Sequence, residues 1–345
     1  MDVALDQARL QAIVARFGSR RVLVVGDPVI DQYIYGTTHR ISREAPVLVV
    51  REDGREARLG GAANAAANVA SLGARADFAG LVGDDSEADD LRRLFEERKI
   101  DAGLLLRSKQ RSTVTKTRIL AGGIHTTKQQ MLRIDRESQH PLSPEDEARL
   151  VEGATALLSS VDAVVISDYG AGDLGPAYAA IAQAAKKLGR VVVVDSRHEL
   201  QRFSGVTAVT PNAPEAAAAL GHSVDAPLDA ARGAQRLMLR LDLEAVVLTR
   251  GREGMVVVDR QGPPVFLDAH GQREAVDVTG AGDTVTATFA LSLASGATVL
   301  EAAALANCAA GVVVQYVGAT AITQDALGAA ITAIDKGALR PAKGL

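Results

Sequence analysis

Glu274 to Ala290 reads E-A-V-D-V-T-G-A-G-D-T-V-T-A-T-F-A. Asp277 closes a short polar approach, Gly280-Ala281-Gly282 allows a tight turn, and Asp283 opens an apolar run through Val285, Ala287, Phe289, Ala290, Leu291 and Leu293 at helical spacing. A glycine-rich turn feeding a helix N-terminus is an anion site, because unpaired N–H groups and the positive end of the helix dipole can hold a phosphate without Lys or Arg. An acid in the first helical turn is ordinarily a cap. With a phosphate on the Gly-Ala-Gly amides, however, Asp283 is a negative charge beside a negative ligand, which makes sense if it has a proton to remove. At an ordinary carboxylate pKa of about 3.9 it is ionised at pH 7 and free to accept one.

Outward from that turn, buried strands recur: R-V-L-V-V-G-D (21–27), A-D-F-A-G-L-V-G (76–83), A-V-V-I-S-D (163–168), V-V-V-V-D (191–195), A-V-T-P-N (208–212), A-V-V-L-T-R-G (245–251) and M-V-V-V-D (255–259). Helical stretches lie before and between them at 4–18, 61–73, 85–98, 143–160, 176–189 and 226–241. The pattern predicts an α/β fold, a doubly wound and mainly parallel sheet with helices on both faces. Ligands collect at the C-terminal strand ends of such sheets, where Asp27, Asp168, Asp195, Asn212 and Gly251 fall. Residues 46–52, 113–120 and 129–136 alternate apolar and polar instead and predict a small antiparallel β flap, a candidate lid. The expected division is a core of 1–36, 54–110 and 137–335, a flap of 37–53 and 111–136, and a loose tail of 336–345. The flap's second apolar face would be exposed in a monomer, so it is expected to pair with a second subunit as a homodimer.

Composition excludes several classes. The 345 residues are 47% hydrophobic, carry a net charge of −4, and have 3% aromatics with no Trp, so neither a basic footprint nor a stacking platform for nucleic acid is present. The N-terminus lacks the basic start and apolar core of a signal peptide and no apolar run is long enough for a bilayer, so no membrane partner and a cytoplasmic location are expected. Cys308 is the sole cysteine and reads as a small buried residue. The six histidines (His39, His125, His140, His198, His222, His270) have no metal-site spacing.

Several motifs allow two readings. Asp27 and Asp31 can chelate sugar hydroxyls or simply form a turn. Gly60, Gly61 and Asn64 offer close backbone approach and an amide suited to polyols, or a helix start. Asn212 and Glu215 have capping-box spacing. Thr249, Arg250, Gly251 and Gly254 follow a strand and by themselves read as a plain turn. Gly170-Ala171-Gly172-Asp173-Leu174-Gly175 matches a dinucleotide fingerprint with Asp195 ending the next strand, which keeps a hydride-transfer enzyme as rival. Against it, Asp168 and Tyr169 separate the strand from the first Gly. No Walker A sequence or protein-kinase signature occurs.

D-V-T-G-A-G-D, together with R-L-G-G-A-A-N-A-A-A-N (Arg58 to Asn68), resembles the two signatures of the ribokinase-like (PfkB) sugar kinases. Thr288 departs from the pattern, standing where many members have a smaller residue. The resemblance implies that Asp283 deprotonates the sugar hydroxyl while the amides of Gly280, Ala281 and Gly282 neutralise the transferring phosphoryl group. Asp31, Gly60, Gly61 and Asn64 would hold the sugar. Glu215 of N-x-x-E would place Mg²⁺ through water, with Asn212 and Asp195 beside it. Thr249, Gly251 and Gly254 would take ATP, with Asn307 near the adenine, and S-D-Y-G-x-G would be a loop near the reacting centre. Residues 26–50, G-D-P-V-I-D-Q-Y-I-Y-G-T-T-H-R-I-S-R-E-A-P-V-L-V-V, more specifically resemble the heptose 7-phosphate kinases, including the kinase half of the bifunctional ADP-heptose synthases. That implies phosphorylation at the anomeric hydroxyl of D-glycero-D-manno-heptose 7-phosphate, toward the lipopolysaccharide core. Arg43, Lys116, Arg118 and Arg133, in or beside the flap, would meet the substrate's own phosphate, or else be solvated strand charge. No H-x-G-H nucleotidyltransferase signature is found, so a separate enzyme is expected for that step. Other sugar kinases and a non-catalytic nucleotide-binding protein remain alternatives.

Overall fold

The computed structural model describes residues 5–123, 128–138, 143–171, 174–271, 274–334 and 339–342. Residue 4 of the first expected helix, flap residues 124–127, His125, His140, Gly172 and Asp173 of the fingerprint, and tail residues 336–338 and 343–345 lie outside them. In chain order the elements are α1 (Gln7–Val14), β1 (Arg21–Gly26), β2 (Pro28–Ile41), β3 (Leu48–Gly61), α2 (Ala62–Ser71), β4 (Arg75–Gly83), α3 (Ser86–Glu97), β5 (Asp101–Ser108), β6 (Val114–Gly122), β7 (Gln129–Arg136), α4 (Pro144–Leu157), β8 (Ala163–Asp168), α5 (Gly175–Lys187), β9 (Val191–Ser196), β10 (Ala208–Val209), α6 (Ala213–Leu220), α7 (Pro227–Arg240), β11 (Ala245–Thr249), β12 (Met255–Asp259), β13 (Val265–Leu267), α8 (Ala281–Ala294), α9 (Val299–Val313), α10 (Gln324–Thr332) and β14 (Leu339–Pro341).

The main sheet runs β14-β13-β12-β11-β10-β9-β8-β1-β4-β5. Neighbours from β5 to β11 are parallel, and β12, β13 and β14 close one edge antiparallel. β1 shows why an unbroken apolar run builds this sheet: Val22 and Val24 enter one core while Leu23 and Val25 enter the other, so neither face is wet. α8 is buried at every position from Asp283 to Ser292, as a helix apolar all round must be. Thr288 lies on it fully buried, its hydroxyl without a hydrogen-bond partner among the described residues.

α2 reaches α8 closely because Ala62, Ala63, Ala65, Ala66 and Ala67 carry so little side chain. Two asparagines knit the pair. Asn68 Nδ2 donates to the Asn64 carbonyl at 2.9 Å, and its Oδ1 accepts from Thr284 Oγ1 and Ile322 N, both at 3.1 Å. Asn68→Ala strands buried donors, and is expected to cost about 2–4 kcal/mol. It should appear as a lower urea midpoint with unchanged slope; a wild-type midpoint would remove Asn68 from this account.

Four expectations need correcting. The second sheet, ordered β3-β2-β6-β7, begins at Pro28 rather than at 37, because only Asp27 separates β2 from the end of β1. Its β2–β6 pair is parallel, so the flap is mixed and not antiparallel: the chain passes through α2, β4, α3 and β5 before re-entering, and no hairpin sets that strand's direction. β10 stops at Val209 instead of 212, since Pro211 has no N–H to offer a ladder. Part of the expected loose tail is a strand, Leu339 to Pro341, paired to β13 with Arg340 against Asp268. Among the described residues no helix is long and apolar enough to cross a membrane.

Candidate active site

Two cavities meet at the N-terminus of α8. The first, about 350 Å³, lies between the flap and the C-terminal ends of β8 and β9, and Asp31, Gly61, Lys116, Arg118, Arg133, Asp195, Asn212, Glu215, Thr249, Gly280, Gly282 and Asp283 all line it. The second, about 560 Å³, is lined by Thr249, Gly251, Gly254, Ala281, Gly282 and Asn307 among others. Gly282 and Thr249 belong to both walls, so the phosphate turn is the partition between them. A group handed from one cavity to the other has to pass it.

Gly280 adopts φ +79, and a side chain there would run into Asn64 Nδ2 and Ala319, so the turn needs glycine twice over. The turn delivers Asp283, 2% exposed, with a donor on each oxygen. Asn64 Nδ2 donates to Oδ2 at 3.0 Å and Tyr169 OH to Oδ1 at 2.8 Å. Burial raises its pKa to about 6; those two hydrogen bonds pull against the rise, the charge of Asp31 adds to it, and Arg197 opposes it. A carboxyl tuned near neutrality is suited to taking a proton from a hydroxyl.

The expected site residues do not all assemble. Arg43 is exposed in the β2–β3 connection and lines neither cavity, because its end of the hairpin projects away from the core. Asn64 stands behind Asp283: its amide is spent on that carboxylate and, at 3.3 Å, on the Gly280 carbonyl. Gly60 likewise backs a carboxylate, since any Cβ there would collide with Asp31. The Ala281 N–H turns back on the Val278 carbonyl at 3.2 Å, leaving the helix-end role to its neighbours. Asn212 and Glu215 do form the capping box, with both bonds at 2.9 Å, yet the half-buried Glu215 also faces the first cavity and the box engages only its Oε2. Burial raises the Glu215 pKa, against the Asn212 N–H. Asp195 is pushed well above the carboxylate range by burial, then by the charges of Glu215 and Asp283.

The flap cations differ in availability. Arg118 is paired with Asp31, and Arg133 with both oxygens of Asp135 at 2.8 Å. Neither Lys116 nor Arg197 takes part in an ion pair among the described residues. They lie over the ring of Tyr169, at 5.6 and 4.2 Å from its centroid. Burial, then the nearby Arg197, lowers the Lys116 pKa. Arg197 and Tyr169 are the residues that motif reading did not assign; both follow strand ends of the main sheet, the one signal that could have found them.

The dinucleotide fingerprint fails on its own amides. Tyr169 N and Ala171 N donate to Asp27 Oδ2 at 2.9 and 3.2 Å, and Gly170 N to Asp168 Oδ1 at 3.0 Å, so carboxylates of this chain fill the place a pyrophosphate would need. Among the described residues no cluster of three or more His, Cys, Asp or Glu could by itself hold a metal ion.

The chain is 43% identical over 312 residues to the bifunctional protein HldE of Caulobacter vibrioides, covering 89% of this chain and 62% of that one. It is 38% identical to the same-named protein of Geobacter sulfurreducens over 92% of this chain and 64% of the relative. The chain thus spans under two thirds of the length of these curated relatives. Its fold is that of the ribokinase of Arabidopsis thaliana (TM-score 0.70, 18% identity, 90% of this chain and 98% of that one) and of phosphofructokinase-2 from Escherichia coli (TM-score 0.75, 19% identity, 91% and 99%). The description "pfkB family carbohydrate kinase" matches residues 19–326, an extent that takes in the flap, both cavities and the buried helix with its tuned carboxyl, and so the chain belongs to the pfkB family of carbohydrate kinases.

Proposed function

We propose that this kinase transfers the γ-phosphoryl group of ATP to the anomeric hydroxyl of D-glycero-D-manno-heptose 7-phosphate, giving the 1,7-bisphosphate in the cytoplasm. The observation that carries this reading is a buried carboxyl held by two donors on the partition between a polar cavity with unpaired cations and a larger, more apolar one. The sugar phosphate occupies the first, with Asp31 and Gly61 on its hydroxyls and Lys116 and Arg197 toward its phosphate. ATP lies in the second, against Thr249, Gly251, Gly254 and Asn307, with its phosphates at the helix end. Asp283 takes the hydroxyl proton as the oxygen attacks, and the amides of Gly282 and Asp283 offset the charge that develops.

Mg²⁺ would supply charge neutralisation at the nucleotide's phosphates, with Glu215 as the residue to hold it. The donor set suits it: one cavity-facing carboxylate, Glu215, can act through a metal-bound water, as an ion that keeps most of its hydration requires. A dication there also relieves the repulsion between Glu215 and Asp195. The resemblance of residues 26–50 to heptose 7-phosphate kinases and the identity with the HldE proteins support the choice of sugar. The test is ADP release against a panel of phosphorylated and unphosphorylated sugars, with and without EDTA. Release with the heptose phosphate that stops on chelation is the expected result; release only with other sugars would overturn the substrate assignment.

A homodimer through the flap belongs to the same proposal. Arg118 opposes Arg133 on the cavity side, so Thr117 with Ile134 and Ile119 with Leu132 look outward, and Leu132 and Ile134 are 54% and 52% exposed. A second copy laid across this face would cover them. Leu132→Glu with Ile134→Glu should halve the mass measured by light scattering; a wild-type chain that is already a monomer would dispose of the dimer.

A further inference from the structure

We propose that Tyr169 is a positioning residue of this site: with its ring held by Lys116 of the flap and Arg197 of the core, its hydroxyl fixes Asp283 Oδ1 and keeps the carboxylate charged and aimed at the substrate. The inference rests on the reading of Asp283 as the base. Three observations carry it. The Tyr169 hydroxyl donates to Asp283 at 2.8 Å. Two cations lie over its ring, one from flap strand β6 and one from just past β9, with the Arg197 guanidinium 4.2 Å and the Lys116 ammonium 5.6 Å from the centroid. Its backbone is pinned independently, the N–H donating to buried Asp27, which also accepts from Tyr178 OH at 2.8 Å. A donor gripped at ring and backbone loses little entropy when it binds the carboxylate, and Lys116 makes that grip depend on where the flap lies.

The groups facing Asp283 decide the direction of the effect. Asp31 from β2 favours its protonated form, while Asn64, Tyr169 and Arg197 favour the ionised one, and Asp195 from β9, itself pushed well above the carboxylate range, faces it as a neutral carboxyl. The base works ionised, so losing a donor raises its pKa and moves the acid limb of activity to higher pH. Burial, followed by the charges of Asp283 and Asp195, holds the phenol itself well above its usual value, so Tyr169 stays a donor across the working range.

The experiment is the pH profile of kcat/KM for ADP release by the full chain, with Mg-ATP and heptose 7-phosphate. The wild-type acid limb is expected near pH 6. Tyr169→Phe should move it up by about one pH unit, with a rate loss of about tenfold below the limb that largely disappears above about pH 8, and with KM for ATP unchanged. A residue that merely supported the fold would lower the rate equally at every pH. Fluorotyrosine placed at position 169 keeps the ring and strengthens the donor, so it tests the idea even if the Phe variant folds poorly, and it should move the limb the opposite way. A wild-type limb in either substitution overturns the proposal. If Asp283→Asn is inactive while the limbs stay put, only the role of Tyr169 fails; if Asp283→Asn is fully active, the base assignment fails first.

Discussion

Asp283→Asn is expected to lower kcat by about 10²–10⁴, the usual contribution of a positioned general base. Nucleotide affinity should be retained. The substitution is nearly isosteric in a fully packed stretch of α8, so it leaves no cavity. It removes the proton acceptor, and it also places an amide where Asn64 and Tyr169 both present hydrogens, so Tyr169 has to turn from donor to acceptor if both contacts are to be kept. ATP binding survives because the second cavity is walled by other residues, Gly251, Gly254 and Asn307 among them. Calorimetric titration with ATP beside a steady-state rate separates the two effects. Turnover at wild-type speed would sink the assignment of the base.

The second large effect is discrimination by the substrate's own phosphate. Heptose 7-phosphate should exceed ribose or fructose in kcat/KM by about 10²–10⁴. The size follows from how many cations are free to meet a dianion: Arg118 and Arg133 are committed to Asp31 and Asp135, which leaves Lys116 and Arg197. Hydrogen bonds to charged groups contribute about 1.5–3 kcal/mol each, so two give about 3–6 kcal/mol, a factor of about 10²–10⁴. Lys116→Ala should lose roughly half of that margin on the logarithmic scale, read as the ratio of kcat/KM for the heptose phosphate to that for fructose. Comparable turnover of fructose by the wild type would instead make this a general sugar kinase.

Much of this was legible in the chain because the signals were local. R-V-L-V-V and V-V-V-V-D have no polar face, which is enough to place a strand inside a covered parallel sheet. T-G-A-G-D announces a turn, a helix end and a carboxylate in five letters. What stayed hidden depended on contacts between distant segments. Nothing in V-I-D-Q-Y-I-Y or V-T-K-T-R says that β2 and β6 run the same way, since that follows from the route taken between them. Asn64 reads as a sugar ligand until α8 is laid against α2 and its amide proves to be engaged. Arg197 has no motif around it. Its importance comes from lying above an aromatic ring supplied by a different strand end.

The burial of α8 on every side has a consequence for how this protein can change. A residue there answers to neighbours in all directions, so enlarging or shrinking one strains several others at once, at a typical loss of about 1–3 kcal/mol for added bulk. The flap strands answer to neighbours on one side only, and β7 is open to solvent along its whole length. Chemistry and choice of sugar are therefore written in materials of unequal hardness, the first in a helix that resists revision and the second in a ribbon that tolerates it.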